Sequence, residues 1–149
     1  MGNSHITKAQ DLPADYVNTH NLAREELGIN MTNLVWDDKL ADFAQNYVNQ
    51  CKDCKLIPSN KEAYGYGENL AMSARNLSSV DAVNLWVAKK PLYNWYIGRC
   101  EGGECGHYTQ VVWGSSRHVG CGKGKCDDGR TFVACYYYPT GNVLGEVPF

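Results

Sequence analysis

Seven cysteines in 149 residues constrain this fold more than any other feature of the chain. They are Cys51, Cys54, Cys100, Cys105, Cys121, Cys126 and Cys135. A chain of this length buries roughly two thirds of its unfolded surface and does not depend on disulfides for a core. The cysteine count therefore speaks to compartment rather than to size. Cys51-Lys52-Asp53-Cys54 has the C-x-x-C spacing of a redox or zinc half-site. A zinc site needs a second C-x-x-C or H-x-x-x-H, and the sequence has neither. A thioredoxin-like motif follows a buried strand, whereas this one follows an amphipathic helical stripe. Structural disulfides, and with them an oxidising, secretory compartment, are the favoured reading. Seven is odd, so one thiol is left over, and spacing alone does not rank the pairings. Two glycosylation sequons, Asn30-Met31-Thr32 and Asn76-Leu77-Ser78, fit the same compartment.

The composition describes one soluble globular domain, with 44% hydrophobic and 20% charged residues. A net charge of −2 without a basic run argues against a nucleic-acid partner. No apolar run approaches the ~20 residues of a membrane span. Met1 to Lys8 lacks the apolar core of a signal peptide, so a secreted protein is expected to have its leader absent from this chain.

Helices are expected first and strands last. Pro13 opens a helix whose Tyr16, Val17, His20, Ala23, Arg24 and Leu27 lie on adjoining faces, and Gly28 stops it. Packing and surface hydrogen bonding beside Arg24 explain His20 as well as a chemical role does. Asp37 and Asp38 open a second helix, with Leu40, Phe43, Ala44, Tyr47, Val48 and Cys51 at i, i+3, i+4, i+7 spacing. Lys55 to Asn69 reads as a loop, and a third helix runs from Ser78 towards Pro91. Gln110–Trp113, Val119–Cys126 and Thr131–Tyr138 read as strands, the last two joined by a turn at Asp127-Asp128-Gly129. This order gives an α+β domain with helices covering a sheet.

Signatures of the serine esterases, the phosphate-binding loop and the zincins are missing. His107 and Glu68 are the candidate chemical pair: converging in a cleft, they would hold a divalent ion or act as acid and base. The plainer alternative is that they hydrogen-bond to each other and fix two loops. His118 reads as a surface residue before a strand.

Several ordered segments resemble the CAP superfamily of secreted proteins. His107-Tyr108-Thr109-Gln110-Val111-Val112-Trp113 and Cys135-Tyr136-Tyr137-Tyr138-Pro139-Thr140-Gly141-Asn142 are similar to its two signatures. His20-Asn21-Leu22-Ala23-Arg24, Trp36-Asp37, Gly67-Glu68-Asn69-Leu70 and Leu85-Trp86-Val87 match in the same order. The branch resembled most is the plant pathogenesis-related class 1 proteins. The resemblance implies one domain over 1–149, an α-β-α sandwich with an antiparallel sheet between helices. It includes an N-terminal extension over 1–13, expected to be flexible, and a peptide-like tail over 139–149. It also implies the bridges Cys54–Cys126, Cys100–Cys105 and Cys121–Cys135, leaving Cys51 unpaired.

Members of this superfamily line a cleft with two His and two Glu able to hold a divalent metal. Glu68 and His107 carry over, but Pro58 and Lys89 stand where the second His and second Glu belong. A lysine ~4 Å from a bound cation would repel it by ~4 kcal/mol per unit charge at an effective dielectric of 20. No tight zinc site, no cofactor and no catalytic residue are therefore expected. The alternative is a metal-assisted hydrolase built on Glu68 and His107. The resemblance further implies sterol or lipid binding, mapped to Tyr64, Tyr66, Leu70, Met72 and Leu77. It also implies release of a defence peptide by a protease cutting between Tyr138 and Pro139, although Tyr136 replaces the Asn of the family motif. The expected protein is a monomer of the extracellular plant apoplast that acts against fungi or oomycetes, with a receptor or pathogen effector as the other partner class.

Overall fold

The computed structural model describes residues 11–149, so the expected N-terminal extension lies almost wholly outside the described residues. Helix α1 (Pro13–Glu25) starts with proline in its first turn, and the Asp15 carboxylate accepts from the Leu12 N–H at 3.0 Å. It buries Tyr16, His20, Ala23 and Arg24, the face expected from spacing. Helix α2 (Asp38–Gln50) is capped by the Asp37 carboxylate, which accepts from the Lys39 and Leu40 N–H groups at 2.8 and 3.2 Å. Its buried face is Leu40, Ala44, Tyr47 and Val48. A short helix α3 (Lys61–Tyr64) and helix α4 (Ser79–Val87) follow. The Ser78 hydroxyl caps α4 by accepting from the Asp81 N–H at 3.1 Å. Helix α5 is Gly106–Val111.

The strands are β1 (Val35–Trp36), β2 (Gly67–Ser73), β3 (Tyr93–Asn94), β4 (Arg99–Cys100), β5 (His118–Lys125) and β6 (Thr131–Tyr138). The main sheet has the order β1-β5-β6-β2, and β3 and β4 form a separate ribbon. The long strands pair antiparallel as expected, but the two-residue β1 joins β5 in parallel. Helix α2 covers one face, over Phe132, Ala134 and Tyr136. Residues of α1, α4 and α5 cover the other, over Val119, Val133 and Tyr137. The architecture is therefore the α-β-α sandwich.

Glycine spacing in β5 lets α2 approach the sheet. Gly120, Gly122 and Gly124 alternate along the strand and face the helix. A Cβ on Gly122 would lie 2.6 Å from the Gln45 nitrogen and 2.7 Å from its Cα. Gln45 fixes the contact by accepting from the Lys123 N–H at 3.1 Å and donating to its carbonyl at 3.0 Å.

Two expected elements are corrected. Gln110–Trp113 is not a strand: Gln110 and Val111 end helix α5, Val112 and Trp113 lead out of it through a turn, and every residue from Tyr108 to Trp113 is buried. A short apolar run buried on all sides has no period that separates helix from strand. The expected loop over Lys55–Asn69 holds helix α3 and the start of β2. Pairing with β6 makes Gly67–Ser73 a strand, a partner too distant in sequence for local composition to reveal. All three bridges implied by the resemblance are present, and Cys51 is a buried free thiol. Cys121 and Cys135 face each other directly across the β5–β6 register, with Cα atoms 4.1 Å apart.

Candidate functional site

The candidate cleft crosses β2, one of the two edge strands of the sheet. Glu68 and Tyr136 are directly opposed in the β2–β6 register, so their side chains share one face. The Tyr136 hydroxyl donates to Glu68 Oε2 at 2.7 Å, and the Ser59 hydroxyl donates to the same oxygen at 2.8 Å. Burial, followed by the adjoining carboxylate, pushes the Tyr136 hydroxyl far above the ordinary phenol range. Glu68 is thus held by two hydroxyls rather than by His107, which corrects the expected mutual hydrogen bond. Sequence reasoning misses Tyr136 and Ser59 as site residues. The available signal is that Tyr136 replaces the family Asn at a position facing Glu68.

His107 occupies the first turn of α5, and its carbonyl accepts from Asn69 Nδ2 at 2.9 Å. His107 and Glu68 line a cavity of about 320 Å³ with Leu56, Leu70, Ala71, Met72 and Phe132. Partial burial lowers the His107 pKa, and the Lys89 charge lowers it further against an opposing effect of Glu104. Lys89 thus lies near enough for its charge to act on the histidine. Pro58 lines an adjoining cavity of about 300 Å³ with Tyr47, Ser59 and Glu68. The Tyr47 hydroxyl holds that loop by donating to the Ile57 carbonyl at 2.6 Å. The donor set does not suit a divalent ion. One Glu68 oxygen is already engaged twice, the Pro58 side chain offers no ligand atom, and the Lys89 charge opposes a cation. Among the described residues, the only cluster of three potential ligands is Cys54, Cys126 and Asp128, and its two sulfurs form a disulfide.

The five residues mapped for lipid binding do not line one groove. Tyr64 and Tyr66 stack with centroids 5.4 Å apart, and each meets Phe43 edge-on. Tyr138 meets Tyr66 edge-on at 6.1 Å. These three tyrosines wall a cavity of about 440 Å³ with Asp37, Lys39, Leu40 and His118. Leu70 and Met72 belong to the cavity beside Glu68, and Leu77 is buried in the core beneath α4. His118 begins β5, with its Nδ1 4.0 Å from the Asp37 carboxylate.

The C-terminal tail is strapped to the domain. Tyr138 and Pro139 are both exposed, but their carbonyls accept from the Arg117 N–H at 3.0 Å and the Ser116 hydroxyl at 2.7 Å. Further along, the Gly141 N–H donates to Gln110 Oε1 at 3.1 Å. The Gly114 N–H donates to the Pro148 carbonyl at 2.8 Å.

Beneath the cleft, His20 is fully buried, which removes the surface reading. Its Nδ1 lies 2.7 Å from the Tyr16 carbonyl and its Nε2 lies 2.7 Å from the Tyr137 hydroxyl. A carbonyl only accepts, so Nδ1 carries the proton and Nε2 accepts from Tyr137. Asn69 Nδ2 donates to the same Tyr137 oxygen at 3.2 Å, tying this network to His107.

Residues 17–137 match the family model described as the cysteine-rich secretory protein (CAP) family. The chain is 49% identical over 143 residues to "Pathogenesis-related protein 1" of Arabidopsis thaliana, covering 95% of this chain and 85% of the relative. It is 44% identical to the "Basic form of pathogenesis-related protein 1" of Nicotiana tabacum, covering 97% and 80%. Neither name is that of an enzyme. Among solved structures, BmVAL-1 superposes with a TM-score of 0.77 at 27% identity, over 92% of this chain and 81% of that one. Venom allergen-like protein 4 of Schistosoma mansoni superposes with a TM-score of 0.68 at 25% identity, over 84% and 86%. On this match of sequence, bridges and fold, the chain belongs to the CAP family of cysteine-rich secretory proteins.

Proposed function

We propose that the chain is a secreted plant defence protein of the pathogenesis-related class 1 type, acting by binding a sterol or a related lipid. Its relatives' names support the defence role, and three disulfides support an extracellular location. The observation that carries the ligand class is the tyrosine-walled cavity of about 440 Å³, with Tyr64 half-exposed at its rim. Flat aromatic walls offer a rigid apolar surface to a fused-ring ligand, at ~25 cal/mol per Å² of apolar area removed from water. Asp37, Lys39 and His118 at the same cavity would meet a terminal hydroxyl.

The reading includes no tightly bound zinc and no hydrolytic step, because Tyr136, Ser59 and Lys89 oppose metal chemistry at Glu68 and His107. Release of residues 139–149 would first have to break the strapping bonds of the tail, and it is not part of the proposal. Titration with a labelled sterol tests the reading. Saturable binding that is lost in Tyr64→Ala/Tyr66→Ala is expected. Absence of saturable binding, or equal binding by the variant, refutes it.

A further inference from the structure

The ribbon β3–β4 carries a surface feature that the cleft does not use. Its turn presents Trp95, Tyr96 and Ile97 consecutively to solvent, at 64%, 84% and 46% exposure. The Trp95 and Tyr96 rings stack with centroids 4.4 Å apart. The turn is built rather than loose. Asn94 Oδ1 accepts from the Tyr96 N–H at 3.0 Å, and the Asn94 carbonyl accepts from the Gly98 N–H at 2.9 Å. Gly98 closes the turn at φ +71°, a conformation that L side chains rarely adopt. The Cys100–Cys105 bridge and the packing of Phe149 on Tyr93 at 5.6 Å hold the base.

The C-terminal tail extends the same patch. Ile97, Leu144 and Val147 line one groove of about 560 Å³, and Leu144 is 99% exposed. Exposed Trp and Tyr beside aliphatic residues match the layer between headgroups and acyl chains, where an amphipathic ring satisfies both sides. Lys89, Lys90 and Arg99 flank the ribbon, are exposed, and form no salt bridge among the described residues. Glu146 lies on the tail side, and Glu101 is engaged by Asn94 Nδ2 at 3.2 Å. Free cations beside an apolar tip complement an anionic bilayer.

We propose that the Trp95-Tyr96-Ile97 turn, together with Leu144 of the tail, docks the protein on the surface of an anionic lipid bilayer. The turn inserts its rings at the level of the headgroups, and Lys90 and Arg99 meet lipid phosphate or carboxylate groups. Docking needs no occupant in the tyrosine-walled cavity, so it stands apart from the sterol reading.

The test uses the full chain and sterol-free vesicles of phosphatidylcholine, with and without about one quarter phosphatidylserine. The expected results are co-sedimentation with the anionic vesicles, a blue shift of tryptophan emission, and quenching by brominated acyl chains. Trp95→Ser/Tyr96→Ser/Ile97→Ser should lower partitioning at least ~10-fold. Lys90→Gln/Arg99→Gln should lower it about fivefold per cation on anionic vesicles only. Tyr64→Ala/Tyr66→Ala, which tests the sterol reading, should dock like the wild type. An unchanged thermal midpoint shows that each variant folds. Failure of the wild type to bind anionic vesicles overturns the proposal, as does equal binding by the triple variant. A concentration-dependent dimer in sedimentation, abolished by the triple variant, also overturns it, because a second copy would then cover the patch.

Discussion

Lowering the pH from 7 to 5 is expected to cost about 2 kcal/mol of folding stability through His20 alone. The group is fully buried, and burial, with a further push from Arg24, lowers its pKa from 6.5 to about 4 against the Tyr16 carbonyl. A depressed histidine pKa means that the unfolded chain takes up the proton first as the pH falls. The stability is fully present above 6.5 and is lost progressively down to about 4, by about 3 kcal/mol in total. The structural cause is that Nε2 faces Tyr137 Oη, which already receives Asn69 Nδ2. Protonation would set two donors against an oxygen whose own proton then has no acceptor. Urea unfolding followed by circular dichroism at pH 7, 6 and 5 provides the assay, with His20→Gln as the paired variant. Every other ionisable group is common to both proteins, so the difference between them isolates His20. The wild type should lose about 2 kcal/mol more than the variant between pH 7 and 5, whatever the variant's stability at pH 7. Parallel pH dependences would refute the reasoning, as would a His20 ring resonance that titrates above pH 6.

Gly122→Ala should cost about 3 kcal/mol or more in chemical denaturation, because its Cβ would meet the α2 backbone at 2.6 Å. Arg24→Met should cost a similar amount, since the guanidinium donates to the Thr32, Val111, Trp113 and Ser116 carbonyls, which a thioether leaves unpaired. Tyr136→Phe should lose roughly 1.5–3 kcal/mol through the 2.7 Å bond to Glu68, while calorimetry with zinc still shows no micromolar binding. Cys54→Ser/Cys126→Ser opens a bridge with a separation of 72 residues and should cost about 4 kcal/mol in the chain-entropy model. Cys51 should resist thiol reagents in the native protein and react only on unfolding.

Much of the helical layer is legible in the residues themselves. The stripes at Tyr16–Arg24 and Leu40–Val48 set which faces are buried, and Asp37 and Ser78 set where helices begin. Helix caps and amphipathic periods are local, so local residues carry them. The turn at Asp127-Asp128-Gly129 is legible for the same reason, and it joins β5 to β6. Strand β2 is not, because Gly67–Ser73 becomes a strand only by pairing with Tyr137–Thr131 far along the chain. The buried run from Tyr108 to Trp113 reads wrongly as a strand, since burial on every side erases the period.

The site divides in the same way. The residues themselves name Glu68 and His107, and the family resemblance adds Pro58 and Lys89 and implies that the four do not form a full ligand set. Neither pairs Glu68 with Tyr136, because only the strand register sets them face to face, 2.7 Å apart. The residues mapped for lipid binding separate into two cavities and the core, a division that only the folded chain makes. Seven cysteines favour disulfides over a metal site, and an odd count leaves at least one thiol without an intrachain partner, since a count needs no geometry. Spacing does not say which thiol is odd; the family resemblance implies Cys51, and the tertiary structure shows why: β5 and β6 set Cys121 against Cys135, and the Cα of Cys54 comes within 5.4 Å of that of Cys126. A disulfide needs its two Cα atoms within a few ångströms, and only the folded backbone supplies that distance.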